Sequence, residues 1–183
     1  MVRVIAVVGR SGSGKTTTIE FLISNLTAEG FKIGSIKHIH LPGFTIDKKG
    51  KDTWRHARAG ARIVAALSPS EVVIIKKLSE SKYGLEDLIR LFESEGLDVI
   101  ILEGFHSLIA NRGDVDKIIV AETEKDLNAI LEGTVPPILA VTGRVSKKKR
   151  ELSNLGFPIL DLYKEGDRLY SIVKERLLKH EVR

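Results

Sequence analysis

Short apolar runs alternate with helical patterns along most of this chain. The run Val4–Val8 is followed, between Ile19 and Leu26, by apolar residues three and four positions apart, as on one face of a helix. Further apolar runs predict strands at residues 31–37, 98–103, 117–121, 136–142 and 157–161. Periodic apolar positions predict helices at 14–28, 52–59 and 124–131, and also near 85–92 and 169–177. This alternation of strands and helices is typical of an α/β domain.

One pair of runs departs from the alternation. Residues 62–67 and 71–76 are two strand-like runs, and Ser68-Pro69-Ser70 separates them. Two strand-like runs joined by so short a turn predict a β-hairpin. Because a hairpin pairs its strands in opposite directions, we expect it to make the otherwise parallel sheet mixed.

The connection after the first strand carries the most specific motif of the chain. Gly9-Arg-Ser-Gly-Ser-Gly-Lys-Thr16 has the GxxxxGK[ST] spacing of a P-loop, and it lies between a predicted strand and a predicted helix. Its glycines allow backbone N–H groups to point at phosphate oxygens, while Lys15 reaches the β- and γ-phosphates and the Thr16 hydroxyl ligates Mg²⁺. The predicted nucleotide-binding residues are Gly9, Ser11, Gly12, Ser13, Gly14, Lys15, Thr16 and Thr17.

The motif also settles the predicted architecture. We predict that residues 1–183 form a single P-loop nucleotide-binding domain, with a mostly parallel but mixed central sheet between layers of helices and the hairpin near 62–76. The chain contains no Asn-Lys-x-Asp sequence, which is the motif that reads guanine in many GTPases. The residues alone therefore do not identify the base.

Glu103 is the second candidate for chemistry. It ends the buried run Val99–Leu102, and ligands of open α/β sheets bind at the carboxyl ends of the strands. An acidic side chain at that edge is predicted to face the Mg²⁺ bound by Thr16, directly or through water.

A polar segment after the second strand is the third candidate, and several functions fit it. It contains Lys37, His38, His40, Asp47, Lys51, Asp52, Arg55, His56 and Arg58. In one interpretation it is a switch-like loop, in which Asp47 reaches Mg²⁺ and Lys37 reaches phosphate. In a second it is an anion pocket for another substrate, because arginine and histidine side chains lie close together on a short helix. The remaining interpretations are a transition-metal site at His38, His40 and His56, and a solvated basic loop.

Composition narrows the class of protein. The absence of cysteine excludes disulfides, zinc–thiolate sites and thiol catalysis. No apolar run is long enough to span a bilayer and none resembles a signal peptide, so we expect a cytoplasmic protein without membrane contact. The net charge of +5 suits an anionic partner, but the 5% aromatic content gives few stacking platforms, and we predict no nucleic-acid partner. The basic run Lys147–Arg150 is predicted to be a solvated helix face.

With these segments placed, the sequence resembles molybdopterin-guanine dinucleotide biosynthesis protein B (MobB). The resemblance rests on the P-loop through Thr17 and on later motifs: Ile36-Lys-His-Ile-His40, Phe44 with Asp47, Gly50-Lys-Asp-Thr-Trp-Arg-His56, Ala59-Gly-Ala61 and Glu103-Gly-Phe105. It implies a homodimeric GTP-binding protein with at most slow, Mg²⁺-dependent GTPase activity. Such a protein assists the partner enzyme that attaches GMP to molybdopterin.

The resemblance also assigns residues. It implies Mg²⁺ at Thr16 and Glu103, with Asp47 as a further ligand in the switch interpretation. The candidate catalytic residues are thus Lys15, Asp47 and Glu103. The candidate pocket for phosphate or for molybdopterin itself consists of Lys37, His38, His40, Lys51, Arg55, His56 and Arg58.

Two other functions remain compatible with the motifs. A small-molecule kinase or ligase of the dethiobiotin synthetase type would use Lys37 and the 38–58 loop to hold a phosphoryl acceptor. A metal-insertion GTPase would need soft ligands, and the missing cysteines disfavour it.

Overall fold

The computed structural model describes residues 2–78 and 83–179, which form two compact units. The first unit holds the residues up to His38 and from Leu88 onward, and the second holds Ile39–Asp87. The strands are β1 (Arg3–Val8), β2 (Ile33–Lys37), β3 (Ile63–Leu67), β4 (Val72–Lys76), β5 (Val99–Glu103), β6 (Asp116–Val120) and β7 (Ile138–Thr142). The α-helices are α1 (Lys15–Ala28), α2 (Asp52–Arg58), α3 (Leu85–Glu93), α4 (His106–Ile109), α5 (Glu124–Leu131) and α6 (Leu162–Leu178).

The first unit is built on a five-stranded sheet in the order β2-β5-β1-β6-β7. All its pairings are parallel. Its central strands are mostly apolar and buried on both faces, as expected for parallel strands covered by helices on each side. The structure confirms the predicted fold, with a mostly parallel central sheet flanked by helices.

Helices α1 and α6 cover one face of this sheet. Leu22 and Leu26 from α1 pack in one buried cluster with Leu169 and Val173 from α6 and with alternate residues of the central strands, such as Val7. The spacing of these leucines and valines along the helices matches one helical face, which explains why these segments are helical and why they dock here. The packing fixes the beginning of each helix relative to the carboxyl ends of the strands.

A buried ion pair also anchors α6. The Arg176 guanidinium donates to both oxygens of Asp116 at 2.9 and 3.0 Å, and Arg3 lies 3.6 Å from the same carboxylate. Asp116 is 1% exposed, so its charge depends on these partners for stabilisation. The helix that begins at Leu162 is therefore tied directly to β6.

The second unit contains α2 and the hairpin. Strands β3 and β4 pair antiparallel, from Ile63 opposite Lys76 to Leu67 opposite Val72, as the sequence predicts. They form their own two-stranded sheet and do not join the five-stranded one. The expectation that the hairpin makes the central sheet mixed is therefore wrong in that detail, because within the described residues all strand pairings of the central sheet are parallel. The assignment of residues 1–183 to one domain stays a prediction.

Three local predictions differ from the structure. Residues 157–161 form only a single bridge, from Ile159 to Val141, in place of a strand. The basic run overlaps the 3₁₀ turn Arg144–Lys148 and is not the face of a longer helix. The short helix α4 has too few apolar positions to be visible in the sequence pattern. Among the described residues, none of the helices has the length and apolar character needed to cross a membrane, and a cytoplasmic location stays a prediction.

Candidate functional site

The P-loop residues lie in the connection from β1 to the first turn of α1. Gly14 precedes the helix with φ +98°, a left-handed conformation that other residues rarely adopt. No side chain caps the N-terminus of α1 and no acidic residue lies in its first turn. The free N–H groups and the positive end of the helix dipole therefore face the loop. This is the local structure that binds phosphate groups.

Lys15 is held close to the same loop. Its ammonium group donates to the Arg10 carbonyl at 2.7 Å. Burial lowers the pKa of Lys15, the Glu103 carboxylate opposes that shift, and the nearby Lys37 charge adds to it. An anionic ligand would offer Lys15 a stronger hydrogen-bond partner than a peptide carbonyl does.

Parallel strand register brings three further side chains together. Lys37 pairs with Glu103 across β2 and β5, and Glu103 pairs with Val7 across β5 and β1. Glu103 Oε1 accepts a hydrogen bond from the Thr16 hydroxyl at 3.1 Å and lies 2.9 Å from Lys37 Nζ. The structure thus joins Thr16, Lys37 and Glu103 in one cluster at the carboxyl ends of the strands. Their individual roles stay predictions.

The segment after Glu103 has unusual backbone geometry. Phe105 has φ +63°, although it is not glycine, and it is almost fully buried. Its ring stacks on the His38 ring with centroids 4.7 Å apart, and the His38 N–H donates to the Glu103 carbonyl at 3.0 Å. These contacts hold the ends of β2 and β5 together. A residue with a strained backbone such as Phe105 needs support from its neighbours, and His38 provides it by stacking. Because His38 also bonds to the Glu103 carbonyl, we interpret it as a positioning residue for Glu103.

The Thr16–Glu103 pair fits the requirements of Mg²⁺. Both side chains offer hard oxygen donors, and they lie within hydrogen-bond distance of each other beside the phosphate-binding loop. Magnesium in nucleotide sites is usually bound by one or two such protein oxygens, with phosphate and water completing the shell. The donor set therefore suits the predicted metal.

A cavity of about 440 Å³ opens on the other side of the P-loop. Its lining residues come from the loop and α1, from the ends of β6 and β7, and from the start of α6: Gly12, Ser13, Gly14, Thr17, Thr18, Val120, Glu122, Thr142, Gly143, Arg144, Ser146, Lys147, Asp161, Leu162 and Tyr163. Its volume lies within the range of roughly 300–1,000 Å³ typical of small-molecule sites.

Two buried hydroxyl groups at this cavity lack hydrogen-bond partners within the described structure. Thr142 Oγ1 belongs to a residue with no exposed surface, and Ser13 Oγ belongs to a P-loop residue that is 8% exposed. An unsatisfied buried hydroxyl costs roughly 1–3 kcal/mol. A polar ligand in the cavity could supply the missing partners.

The other predicted site residues lie in the second unit. Asp47 accepts a hydrogen bond from the Thr53 hydroxyl at 2.8 Å, while its Oδ2 is buried without a partner among the described residues. Lys51 precedes α2, whose basic residues Arg55, His56 and Arg58 are exposed, and His40 is exposed as well. Arg55 lies 3.4 Å from Asp52 and Arg58 lies over the Trp54 ring. The proposed metal, catalytic and pocket roles of this set stay predictions.

The structure does not support a transition-metal site at the histidines. Within residues 2–78 and 83–179, no group of three or more His, Cys, Asp or Glu side chains is placed to hold a metal ion. His38 instead stacks on Phe105 in the first unit.

The sequence interpretation missed the walls of the cavity. Glu122 and Arg144 follow β6 and β7, and Asp161 precedes α6. The rule that led to Glu103, that ligands bind at the carboxyl ends of strands, would have identified Glu122 and Arg144. The sequence around Asp161 indicates only an N-terminal helix cap. Asp161 does cap α6, since its side chain accepts a hydrogen bond from the Tyr163 N–H at 3.0 Å.

Comparisons with known proteins agree with the motifs. A family model described as molybdopterin guanine dinucleotide synthesis protein B matches residues 4–143. A molybdopterin-guanine dinucleotide biosynthesis adapter protein from Haemophilus influenzae is 35% identical over 101 residues, covering 55% of this chain and 56% of the relative. The Escherichia coli protein of the same name is also 35% identical, over 60% of this chain and 63% of the relative. The matched segments thus span less than two thirds of either relative.

Solved structures extend the likeness to the whole fold. The crystal structure of Bacillus subtilis MobB matches 94% of this chain and 96% of its own with a TM-score of 0.75, at 24% identity. At that identity the match supports the fold alone. The family model, in contrast, covers most of the 183 residues, and this chain therefore belongs to the molybdopterin guanine dinucleotide synthesis protein B family.

Proposed function

We propose that this chain is a GTP-binding adapter of molybdopterin guanine dinucleotide biosynthesis, which assists a partner enzyme in attaching GMP to molybdopterin. The observation that carries the proposal is the Thr16–Glu103 pair beside a P-loop, in a chain of this family. Relatives named as adapter proteins support the role in this biosynthesis.

The geometry supports nucleoside triphosphate as the ligand. The uncapped N-terminus of α1 and the Lys15 ammonium group suit the phosphates, and the cavity beside the loop has room for a base and sugar. Thr16 and Glu103 would hold Mg²⁺, which neutralises phosphate charge when bound.

The same cluster favours slow hydrolysis. The Glu103 carboxylate accepts from Thr16 and is paired with Lys37, so its negative charge is already compensated. A carboxylate engaged in both contacts is placed to help hold a cation beside the phosphates, and not as a general base directed at water. We infer that rapid turnover, if it occurs, requires the partner enzyme.

A second ligand would bind through the exposed basic residues of α2. Arg55, His56 and Arg58 offer positive charge and hydrogen-bond donors to an anion such as molybdopterin. This assignment is independent of the nucleotide site.

Equilibrium binding of GTP and ATP with Mg²⁺, followed by turnover in the same sample, tests the proposed function. We expect tighter binding of GTP and turnover below about 0.01 s⁻¹ without a partner, as in unassisted GTPases. Equal or tighter binding of ATP would contradict the proposal. Turnover of roughly 1–100 s⁻¹ with a small acid or alcohol acceptor would instead identify a kinase.

We also propose a homodimer, supported by one face of the hairpin. Ile63, Ala65, Leu67, Val72 and Ile74 share that face in the observed register, and all five are exposed. A two-stranded sheet with an apolar face is marginal in isolation, and such faces commonly mark interaction surfaces. The two open edges of the hairpin could add backbone hydrogen bonds.

Introducing a charge on this hairpin face is expected to separate the subunits. Ile74→Glu would place a carboxylate in the interface, and we expect the molar mass measured by light scattering to fall from dimer to monomer. Leu178→Glu makes the same kind of change at an exposed position of α6 and should leave the mass unaltered. A wild-type chain that is monomeric at high concentration would contradict the homodimer.

A further inference from the structure

The cavity beside the P-loop has a wall formed by two connections that are locked together. The Ala121 N–H donates to the Thr142 carbonyl at 3.0 Å, and the Val145 N–H donates to the Ala121 carbonyl at 3.1 Å. Gly143 has φ +96°, and a Cβ at that position would lie 2.4 Å from the Ala121 carbonyl oxygen. Only glycine fits so close an approach. The backbone on both sides of the cavity wall is therefore fixed before any ligand binds.

Two charged side chains extend from this fixed wall, and the described part of the chain provides no partner for either. Glu122 follows Ala121 directly, and Arg144 follows Gly143. Both border the cavity, and neither makes a hydrogen bond or ion pair with the rest of the described chain. Beside them lies the Thr142 hydroxyl, fully buried and unsatisfied. Residues that carry a carboxylate, a guanidinium and a hydroxyl without a partner among the described residues thus border one cavity.

The chemistry of this group matches guanine better than adenine. Guanine presents hydrogen-bond donors at N1 and its 2-amino group, and acceptors at O6 and N7. A carboxylate can accept from both donors at once, and a guanidinium can donate to the acceptors. Adenine has a lone pair at N1, which a carboxylate would repel. A carboxylate and a guanidinium at the cavity therefore favour guanine over adenine.

We propose that Glu122 selects guanine by accepting hydrogen bonds from its N1–H and 2-amino groups, with Arg144 donating to the acceptor edge. The proposal rests on nucleotide binding as the proposed function and names the residue that sets base specificity. Asp161, the other carboxylate at the cavity, is the weaker candidate, because one of its oxygens already caps α6. Within the described residues, neither carboxylate oxygen of Glu122 has a partner.

Replacing the Glu122 carboxylate with an amide tests the assignment, because the variant should gain affinity for a different base. Xanthine carries an oxo group in place of the 2-amino group of guanine, and a glutamine amide can donate to it. We expect Glu122→Gln to weaken GTP binding at least tenfold and to strengthen binding of xanthosine triphosphate at least tenfold, both measured by calorimetry at fixed Mg²⁺. Glu124→Gln is the matched control, since Glu124 pairs with Lys148 and does not line the cavity.

The outcomes separate this inference from the proposed function. If the wild-type chain prefers GTP over ATP but Glu122→Gln leaves the ratio of GTP to xanthosine triphosphate affinity within twofold, the assignment of Glu122 is wrong and GTP binding stands. If Asp161→Asn produces the exchange instead, the assignment is also wrong. A wild-type chain that does not bind GTP overturns both proposals.

The buried hydroxyl offers an independent measurement. Because Thr142 Oγ1 is unsatisfied, Thr142→Val should leave the nucleotide-free protein at least as stable to unfolding, while GTP affinity falls. Lower stability with unchanged GTP affinity would show that this hydroxyl belongs to the core and not to the cavity, and would count against the inference.

Discussion

Replacement of Lys15 with alanine is expected to lower nucleotide affinity by about two orders of magnitude while preserving the fold. Each hydrogen bond to a charged group is worth roughly 1.5–3 kcal/mol, and about 1.4 kcal/mol corresponds to a factor of ten. Among the described residues of the free protein, the ammonium group has only the Arg10 carbonyl as a hydrogen-bond partner, so its main stabilising contribution comes with bound phosphate.

The stability of the Lys15→Ala variant should be unchanged or slightly higher. Lys15 begins α1, where a positive charge opposes the helix dipole, and burial lowers its pKa. The unfolded chain therefore holds this proton more tightly than the folded chain does. The resulting cost is fully present below the lowered folded pKa and disappears as the pH rises through the unfolded value near 10.5.

Calorimetric titration with GTP and thermal unfolding would check both expectations. Lys125→Ala is a matched control, because Lys125 is exposed on α5 and lies outside the cavity lining. Near-wild-type GTP affinity in Lys15→Ala would refute the nucleotide site. A large fall in melting temperature would instead show that the loop needs the lysine to fold.

The features that the sequence predicted best depend on short-range patterns. The P-loop requires particular residues at fixed spacing, and its glycine conformations follow from local backbone sterics, so Gly14 and Lys15 could be placed from eight consecutive residues. Glu103 could be placed because every parallel strand ends at the same edge of the sheet. Neither inference needed the packing of distant segments.

The features that the sequence did not predict depend on register and packing. Lys37 meets Glu103 because β2 lies next to β5 in the sheet, an order that strand patterns alone do not specify. The cavity wall depends on the contact between Ala121 and Gly143, which are far apart in the chain. The hairpin forms a separate sheet. Its sequence does not predict this, because the residue pattern of a hairpin is the same whether it joins the central sheet or stands apart from it.

Replacement of Glu103 with glutamine is expected to raise the Mg²⁺ concentration needed for nucleotide binding at least tenfold. A unit charge about 4 Å away is worth roughly 4 kcal/mol at an effective dielectric constant of about 20, and even a third of that corresponds to a factor of ten. The Glu103 side chain is 13% exposed, so solvent screens its charge only in part. The amide keeps the size of the side chain and can still accept from Thr16, which restricts the change to charge.

The ion pair between Glu103 and Lys37 suggests a second variant that should lower, and not raise, the Mg²⁺ concentration needed for nucleotide binding. In the free protein Lys37 Nζ lies 2.9 Å from Glu103 Oε1, so the ammonium group competes with Mg²⁺ for the carboxylate. Lys37→Met removes the competitor, and we expect the Mg²⁺ midpoint of nucleotide binding, measured by calorimetric titration at a series of Mg²⁺ concentrations, to shift to lower concentration. If the midpoint rises in Lys37→Met as it does in Glu103→Gln, Lys37 acts together with the metal on the phosphate. An unchanged midpoint in Glu103→Gln would remove Glu103 from the metal site, because its carboxylate would then serve only as the partner of Thr16 and Lys37.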